Sequence, residues 1–176
     1  NIVQIQDQRT FTNYQSELKY LLSDPNRLDH IAGMIYKASD SGNTLVLVDR
    51  IEAGKELVSR IPDSVFISGE VKSSDRTDEY DDVATANNKV IVATYGVAAV
   101  GINIPRIFNL VLIEPGKSFV RTIQSIGRGL RKAQDKDSVE IWDITSSCKF
   151  SKRHLTHRKG FYNDAQYPWT LQKVNI

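Results

Sequence analysis

The chain is poor in cysteine: Cys148 stands alone in 176 residues. An internal disulfide framework and a cysteine-rich zinc site are both excluded by that count. The composition fits a reducing compartment, and the cytoplasm is the expected location. No apolar run approaches the roughly 20 residues that a spanning helix requires. The N-terminus lacks the basic-then-apolar pattern of a secretory signal. Neither a membrane nor export is therefore expected. Internal repeats and low-complexity segments are also missing. A strong net charge is lacking as well, with 23 Lys and Arg against 21 Asp and Glu. What remains is ordinary for a globular protein, at 40% hydrophobic and 25% charged residues. The length suits one domain that buries roughly 70% of its unfolded surface.

The near-zero net charge hides an uneven distribution. Residues 116–136 carry Lys117, Arg121, Arg128, Arg131, Lys132 and Lys136 against Asp135 alone. Residues 149–159 carry Lys149, Lys152, Arg153, Arg158 and Lys159 with no acid. The acids gather earlier, at 75–82. A chain that is basic in its last third suits a polyanion on one side.

Hydrophobic rhythm predicts an α/β fold. A short strand is expected at 2–6, a helix at 11–22, and a second helix that starts at Asp24-Pro25, where Asp can cap and Pro fits the first turn. From Thr44 onward, strands at 44–48, 65–68, 89–94, 108–113 and 139–144 alternate with helices at 51–60 and 74–86 and a helical stretch around 123–131. Short buried strands between helices argue for a parallel sheet with helices on both faces. Ligands of such sheets bind beyond the carboxyl ends of the strands. The loops that fall there are Asp49-Arg50, Ser68-Gly69-Glu70, residues 94–103 and residues 114–118. A basic helix is expected over 150–166, where His154, Arg158 and Tyr162 recur every fourth residue. The domain is expected to span 1–166, and the tail 167–176 is either a docking strap or a fraying end.

A P-loop is missing too. Gly116-Lys117-Ser118 ends like one, but the glycine required five residues before Gly116 is replaced by Val111, and Pro115 removes a backbone donor. Ser118 is better read as a helix cap, with Lys117 as a polyanion contact. His154 and His157 have no third ligand nearby, so no metal site is expected. Cys148 has no base at a recognisable spacing and is not read as a nucleophile. Trp142 reads as core and Trp169 as a tail anchor.

The stretch Gln124-Ser125-Ile126-Gly127-Arg128-Gly129-Leu130-Arg131 carries the chemistry. Read at 100° per residue, Ile123, Ile126 and Leu130 share a face that packs on the sheet, and Gln124, Arg128 and Arg131 share another. Gly127 lets a backbone or a ligand come close. Two fork-shaped guanidinium groups match phosphate oxygens. The plain alternative is a solvated helix face. Upstream, Thr94 leaves a strand and enters a small-residue stretch that ends at Gly101-Ile102-Asn103. Exposed amides and a hydroxyl beside a strand end suit a nucleic-acid phosphate. Alternatively Asn103-Ile104-Pro105 merely shapes a turn.

The spacing Q-x-x-G-R-x-x-R resembles motif VI of superfamily 2 helicases. Thr94 with Gly101-Ile102-Asn103 resembles their motif V, in the right order and at a suitable distance. The resemblance covers nearly the whole chain and is closest to the UvsW-type phage DNA helicases. It implies the second RecA-like domain of an ATP-dependent motor. By resemblance Arg131 is the arginine finger and Arg128 its γ-phosphate companion. Gln124, Gly127, Gly101 and Asn103 face nucleotide. Thr94, Arg50, Gly69 and Lys117 face nucleic acid. Family members often carry Asp where Asn103 stands, so a ribose contact there is weaker or absent. The cofactor implied is ATP, with Mg2+ held mainly by a first RecA-like domain that supplies the P-loop and an acidic motif. The partners implied are that first domain and single-stranded or branched DNA, with RNA as the alternative. The implied work is recombination, repair and replication-fork processing, in the host cytoplasm if a phage encodes the protein. A third reading is a non-catalytic nucleic-acid-binding module with this fold.

Overall fold

A computed structural model describes residues 1–67, 86–99, 104–116, 119–131 and 138–176; for Pro105 and residues 125–131 only the backbone is described. In chain order the elements are β1 (Ile2–Ile5), α1 (Tyr14–Leu21), α2 (Pro25–Ala38), β2 (Thr44–Val48), α3 (Ile51–Arg60), β3 (Val65–Ile67), β4 (Val90–Thr94) and α4 (Tyr95–Ala99). There follow β5 (Ile104–Pro105), β6 (Asn109–Ile113), α5 (Phe119–Gly129), β7 (Leu130–Arg131), β8 (Glu140–Ser146), α6 (Lys149–Asp164) and β9 (Leu171–Val174). The helix expected over 74–86 lies almost wholly outside the described residues, as do Ser118 and the loop Ser68-Gly69-Glu70.

Seven strands form one sheet in the order β3-β4-β2-β6-β8-β1-β9, and every pairing in it is parallel. Period-2 alternation sorts the strand residues between two cores. Leu45, Leu47, Ile91, Ala93, Leu110 and Leu112 meet Val97, Phe119, Ile123 and Leu155 from α4, α5 and α6. Val46, Val48, Val90, Val92, Val111 and Ile113 meet Leu18, Ile31, Ile35 and Leu57 from α1, α2 and α3. Both faces are covered, which is why the central strands read as continuous apolar runs.

Local chemistry sets the helix starts. Asp24 caps α2 by accepting from Arg27 N at 3.0 Å, with Pro25 in the first turn as expected. Asn13 caps α1 in the same way through Ser16 N at 2.9 Å, so α1 begins later than the apolar pattern at 11–22 suggested. The tail contributes β9, which lies parallel to β1 at the sheet edge. Ile2 N donates to Thr170 O at 2.8 Å and Gln6 N to Val174 O at 2.7 Å. Trp169 anchors this strap as expected: its Nε1 donates to Asn163 at 3.0 Å, and Lys159 Nζ lies 5.3 Å from its ring centroid. Trp142 is half-buried against the core, and its Nε1 donates to Asn109 at 3.2 Å.

Candidate nucleotide and nucleic-acid interface

The expected helix through Arg131 needs correction. The backbone is helical from Phe119 to Gly129, and Leu130–Arg131 is then extended. The helical register that put Arg131 on the face of Gln124 therefore stops short of Arg131. Gly129 is a weak helix former, and the extended pair gains ladder partners: Ile104 pairs with Leu130 and Pro105 with Arg131. This two-stranded ladder joins the two residues that follow the stretch 94–103 to the end of the stretch that begins at Gln124. On α5, Phe119, Thr122 and Ile123 are buried while Gln124 is exposed. Phe119 meets Phe161 and Tyr162 edge to face, each at 5.4 Å between centroids. Helix α5 is thus held by its first turns, and Gln124 faces outward. Gly101, Asn103 and Lys117 lie outside the described residues, as do the side chains of Arg128 and Arg131.

Two further expected residues sit at carboxyl strand ends. Thr94 closes β4, and its Oγ1 accepts from Val97 N at 3.3 Å, which caps α4. Its hydroxyl proton is left to point elsewhere. Arg50 follows β2, and its side chain is 34% exposed. Its Nε lies 3.9 Å from Asp49 and its Nη2 donates to Gln15 at 3.4 Å. Both contacts are long and neither is bidentate, so the guanidinium is held loosely.

Between these strand ends lies a cleft of about 410 Å³, lined by Tyr14, Gln15, Asp49, Tyr95, Glu114, Pro115, Gly116, Phe119 and Thr122. Arg50 stands at its edge, bonded to Gln15 of the lining. Tyr14 is pushed up to about 12, by burial first and then by Asp49. Tyr95 is also raised by burial, and its hydroxyl donates to Ile113 O at 2.8 Å. Both rings stay neutral at physiological pH.

Sequence reading missed the charges beneath the cleft. Glu114 turns the chain out of β6 with φ of 43°, in the left-handed region. Its carboxyl is buried and accepts from Arg27 Nη2 at 3.2 Å. Burial raises it to about 7, with Arg27 pulling the other way. Arg27 is itself 1% exposed, and its Nη1 has no partner among the described residues. Ser151 Oγ lies 3.0 Å from Glu114 Oε2 and 3.1 Å from Glu17 Oε2. One hydroxyl has one proton, so a protonated Glu114 completes the chain by donating to Ser151. Glu17 also accepts from the Phe150 and Ser151 amides at 3.0 and 2.9 Å, and so caps α6 from α1.

Arg158 needs a second correction. It belongs to a run read as facing a polyanion, yet it is 2% exposed. It makes a fork with Asp143 at 2.7 and 2.9 Å, and its Nη1 donates to Pro115 O at 2.8 Å. Tyr162 donates to the same carboxylate at 2.8 Å, and burial together with Asp143 raises its phenol. This network ties α6 to the loop that leads into α5. A helix whose Arg158 is buried looks basic throughout in sequence, and only the position of Asp143 on β8 distinguishes that arginine from its exposed neighbours. Cys148 is buried and its thiol is pushed up to about 11, so it is no nucleophile. Among the described residues no group of His, Cys, Asp and Glu is placed to hold a metal ion. No helix among them is long and apolar enough to cross a membrane.

The fold is shared with known helicase domains. The chain is 27% identical to the ATP-dependent DNA helicase uvsW of Enterobacteria phage T4 over 184 residues, covering 93% of the chain and 37% of that protein. It therefore spans less than two fifths of that relative. The crystal structure of T4 UvsW superposes with a TM-score of 0.85 at 24% identity, over 99% of this chain and 40% of that one. Domain 2 of Mss116p, a DEAD-box helicase solved on an RNA duplex, has the same fold at a TM-score of 0.61 and 13% identity, over 98% of this chain and 62% of that one. The model of the helicase conserved C-terminal domain matches residues 25–133. Those residues run from α2 through the ladder of β5 and β7, and the chain belongs to that helicase C-terminal domain family.

Proposed function

We propose that this chain is the second motor domain of an ATP-dependent DNA helicase or translocase that works in recombination, repair and replication-fork processing. The observation that carries the reading is the ladder in which Ile104 and Pro105 pair with Leu130 and Arg131. It joins the residues that directly follow the stretch resembling motif V to the end of the stretch resembling motif VI, within a region matched by the helicase family. DNA rather than RNA is favoured by the likeness to a DNA helicase over most of the chain.

In this reading Arg131 and Arg128 reach the phosphates of ATP, with Gln124, Gly127, Gly101 and Asn103 around the nucleotide. The donor set fits: guanidinium forks suit phosphate oxygens, and Gln124 is exposed on α5. ATP supplies the free energy of stepping when bound between two domains. Mg2+ belongs mainly to the first RecA-like domain, which brings the P-loop. Thr94, Arg50, Gly69 and Lys117 track the nucleic-acid backbone from the strand ends. Closure of the two domains around nucleotide shifts their nucleic-acid contacts relative to each other, which moves the motor along a strand.

The test is single-turnover ATP hydrolysis by the protein joined to its first domain, with saturating DNA. Arg131→Ala should slow hydrolysis more than it weakens ATP binding, because a finger acts on charge that develops in the transition state. Related fingers contribute roughly 10³–10⁵ in rate, and a rate-limiting conformational step would reduce the observed loss. Arg131→Lys keeps the charge without the planar fork and should not rescue fully. Normal hydrolysis by Arg131→Ala removes the finger role. A collapsed thermal melt instead means that Arg131 serves only to hold β7 on β5.

A further inference from the structure

The first turns of α6 carry a basic and aromatic face that the motor reading leaves without a task. Lys149, Lys152 and Arg153 are exposed, and no acid occurs between Asp143 and Asp164. Lys149 Nζ and Arg153 Cζ each lie 5.6 Å from the Phe150 ring centroid. Cations over a ring face are attracted to it and lose mobility. Arg9 extends the same face. Its carbonyl is 3.8 Å from Cys148 Sγ, beside the start of α6, and its guanidinium lies 4.5 Å from the centroid of Tyr20.

The acids near this face are engaged in local hydrogen bonds. Asp7 accepts from the Arg9 amide at 2.9 Å and from the Tyr20 hydroxyl at 2.5 Å. Glu17 is buried and spent on the amides of Phe150 and Ser151. The face therefore presents cations outward, and the helix N-terminus beneath it is already capped. It is also continuous with the cleft. Tyr14 lines the cleft and meets the Phe150 and His154 rings at 6.4 and 4.7 Å. Arg50, at the other side, bonds Gln15 beside Tyr14. The cleft thus has Arg50 beside Gln15 on one side and the Phe150 and His154 rings of α6 against Tyr14 on the other.

We infer that Arg9, Lys149, Lys152 and Arg153 form a second nucleic-acid contact surface, which takes the phosphate backbone of the strand that leaves the strand-end cleft. This inference rests on the nucleic-acid motor reading. Fixed cations on a rigid helix, without a matching acid, favour a polyanion of regular charge spacing. The absence of an open amide cluster makes the contact one of side chains and independent of base sequence.

The experiment is fluorescence anisotropy of the chain with a labelled mixed-sequence single-stranded oligonucleotide over a salt series. A triple variant, Lys149→Ala with Lys152→Ala and Arg153→Ala, is compared with a charge-keeping triple, Lys149→Arg with Lys152→Arg and Arg153→Lys. Each lost phosphate contact lowers the slope of log affinity against log salt by about 0.7 on single strands, so the alanine triple should lose about 2 in slope and at least about tenfold in low-salt affinity. The charge-keeping triple should retain both, and thermal melts should be unchanged because all three positions are exposed. Arg50→Ala serves as the reference at the site already proposed. An unchanged slope in the alanine triple, while Arg50→Ala weakens binding, overturns this inference and leaves the motor reading standing. That is also the outcome if the face serves an acidic protein surface. No binding by the parent chain at low salt overturns it too, and the motor reading then rests on the Arg131 hydrolysis test. Equal loss in both triples points to helix packing and also overturns it.

Discussion

Glu114 stands at the end of β6 with a left-handed backbone and a buried carboxyl that accepts from Arg27 and Thr145 and shares a hydrogen bond with Ser151. Its folded value of about 7 lies above the ordinary 4.5. Between those values the folded state holds a proton that the unfolded state has released. Its contribution to stability is therefore fully present below about pH 4.5 and is lost as pH rises through 7. Glu114→Gln should remove that slope, so that the fall in melting temperature between pH 5 and pH 8 becomes shallower. An unaltered slope in thermal melts across that range would assign the titration elsewhere. Arg158 makes a buried fork with Asp143. Arg158→Ala leaves a carboxylate unpaired in the core and should cost about 3–5 kcal/mol in chemical denaturation. A loss under 1 kcal/mol would mean that water reaches Asp143.

At the scale of elements, the tail matters more than its polarity suggested. β9 is mostly exposed, yet it pairs with β1 along its whole length. β1 is buried at all four positions, three of them apolar and the fourth Gln4. Removal of residues 167–176 would turn it into an edge strand with unpaired amides and carbonyls, a template for association. The truncated chain should melt lower and form concentration-dependent aggregates in light scattering, and a monodisperse, equally stable product would refute this. The helix α5 shows a different lesson. Its first turns are anchored by Phe119, Thr122 and Ile123, and its far end hands over to the β5 and β7 ladder. Two arginines three residues apart thus lie in two kinds of backbone, because strand pairing displaced the helical repeat after Gly129.

At the scale of the molecule, the proposed reading gives the chain a nucleic-acid edge and part of a nucleotide site. Gly116-Lys117-Ser118 lacks the glycine spacing of a P-loop, and Pro115 lacks the donor. The isolated chain should therefore not hydrolyse ATP, with or without DNA. Stimulated turnover that survives Lys117→Ala would overturn this. Binding of DNA by the chain alone should lie near the non-specific range of about 10⁻⁴–10⁻⁶ M and weaken with salt. An affinity constant between low and moderate salt would remove the electrostatic account.

The α/β architecture was legible because continuous apolar runs such as 45–48 and 110–113 mark strands covered on both faces. Asp24-Pro25 marked the start of α2 for an equally local reason. The pattern Q-x-x-G-R-x-x-R pointed to the family because its chemistry is carried by residue type at fixed spacing. What depends on partners far along the chain stayed hidden. Arg158 reads as a surface cation until Asp143 and Pro115 are placed beside it. Glu114 and Arg27 are 87 residues apart, and no local period relates them. β9 has neither a branched run nor a buried face, and only the open edge of β1 makes it a strand. Propensity and spacing act within a few residues, whereas burial and charge pairing are decided where the chain returns to itself.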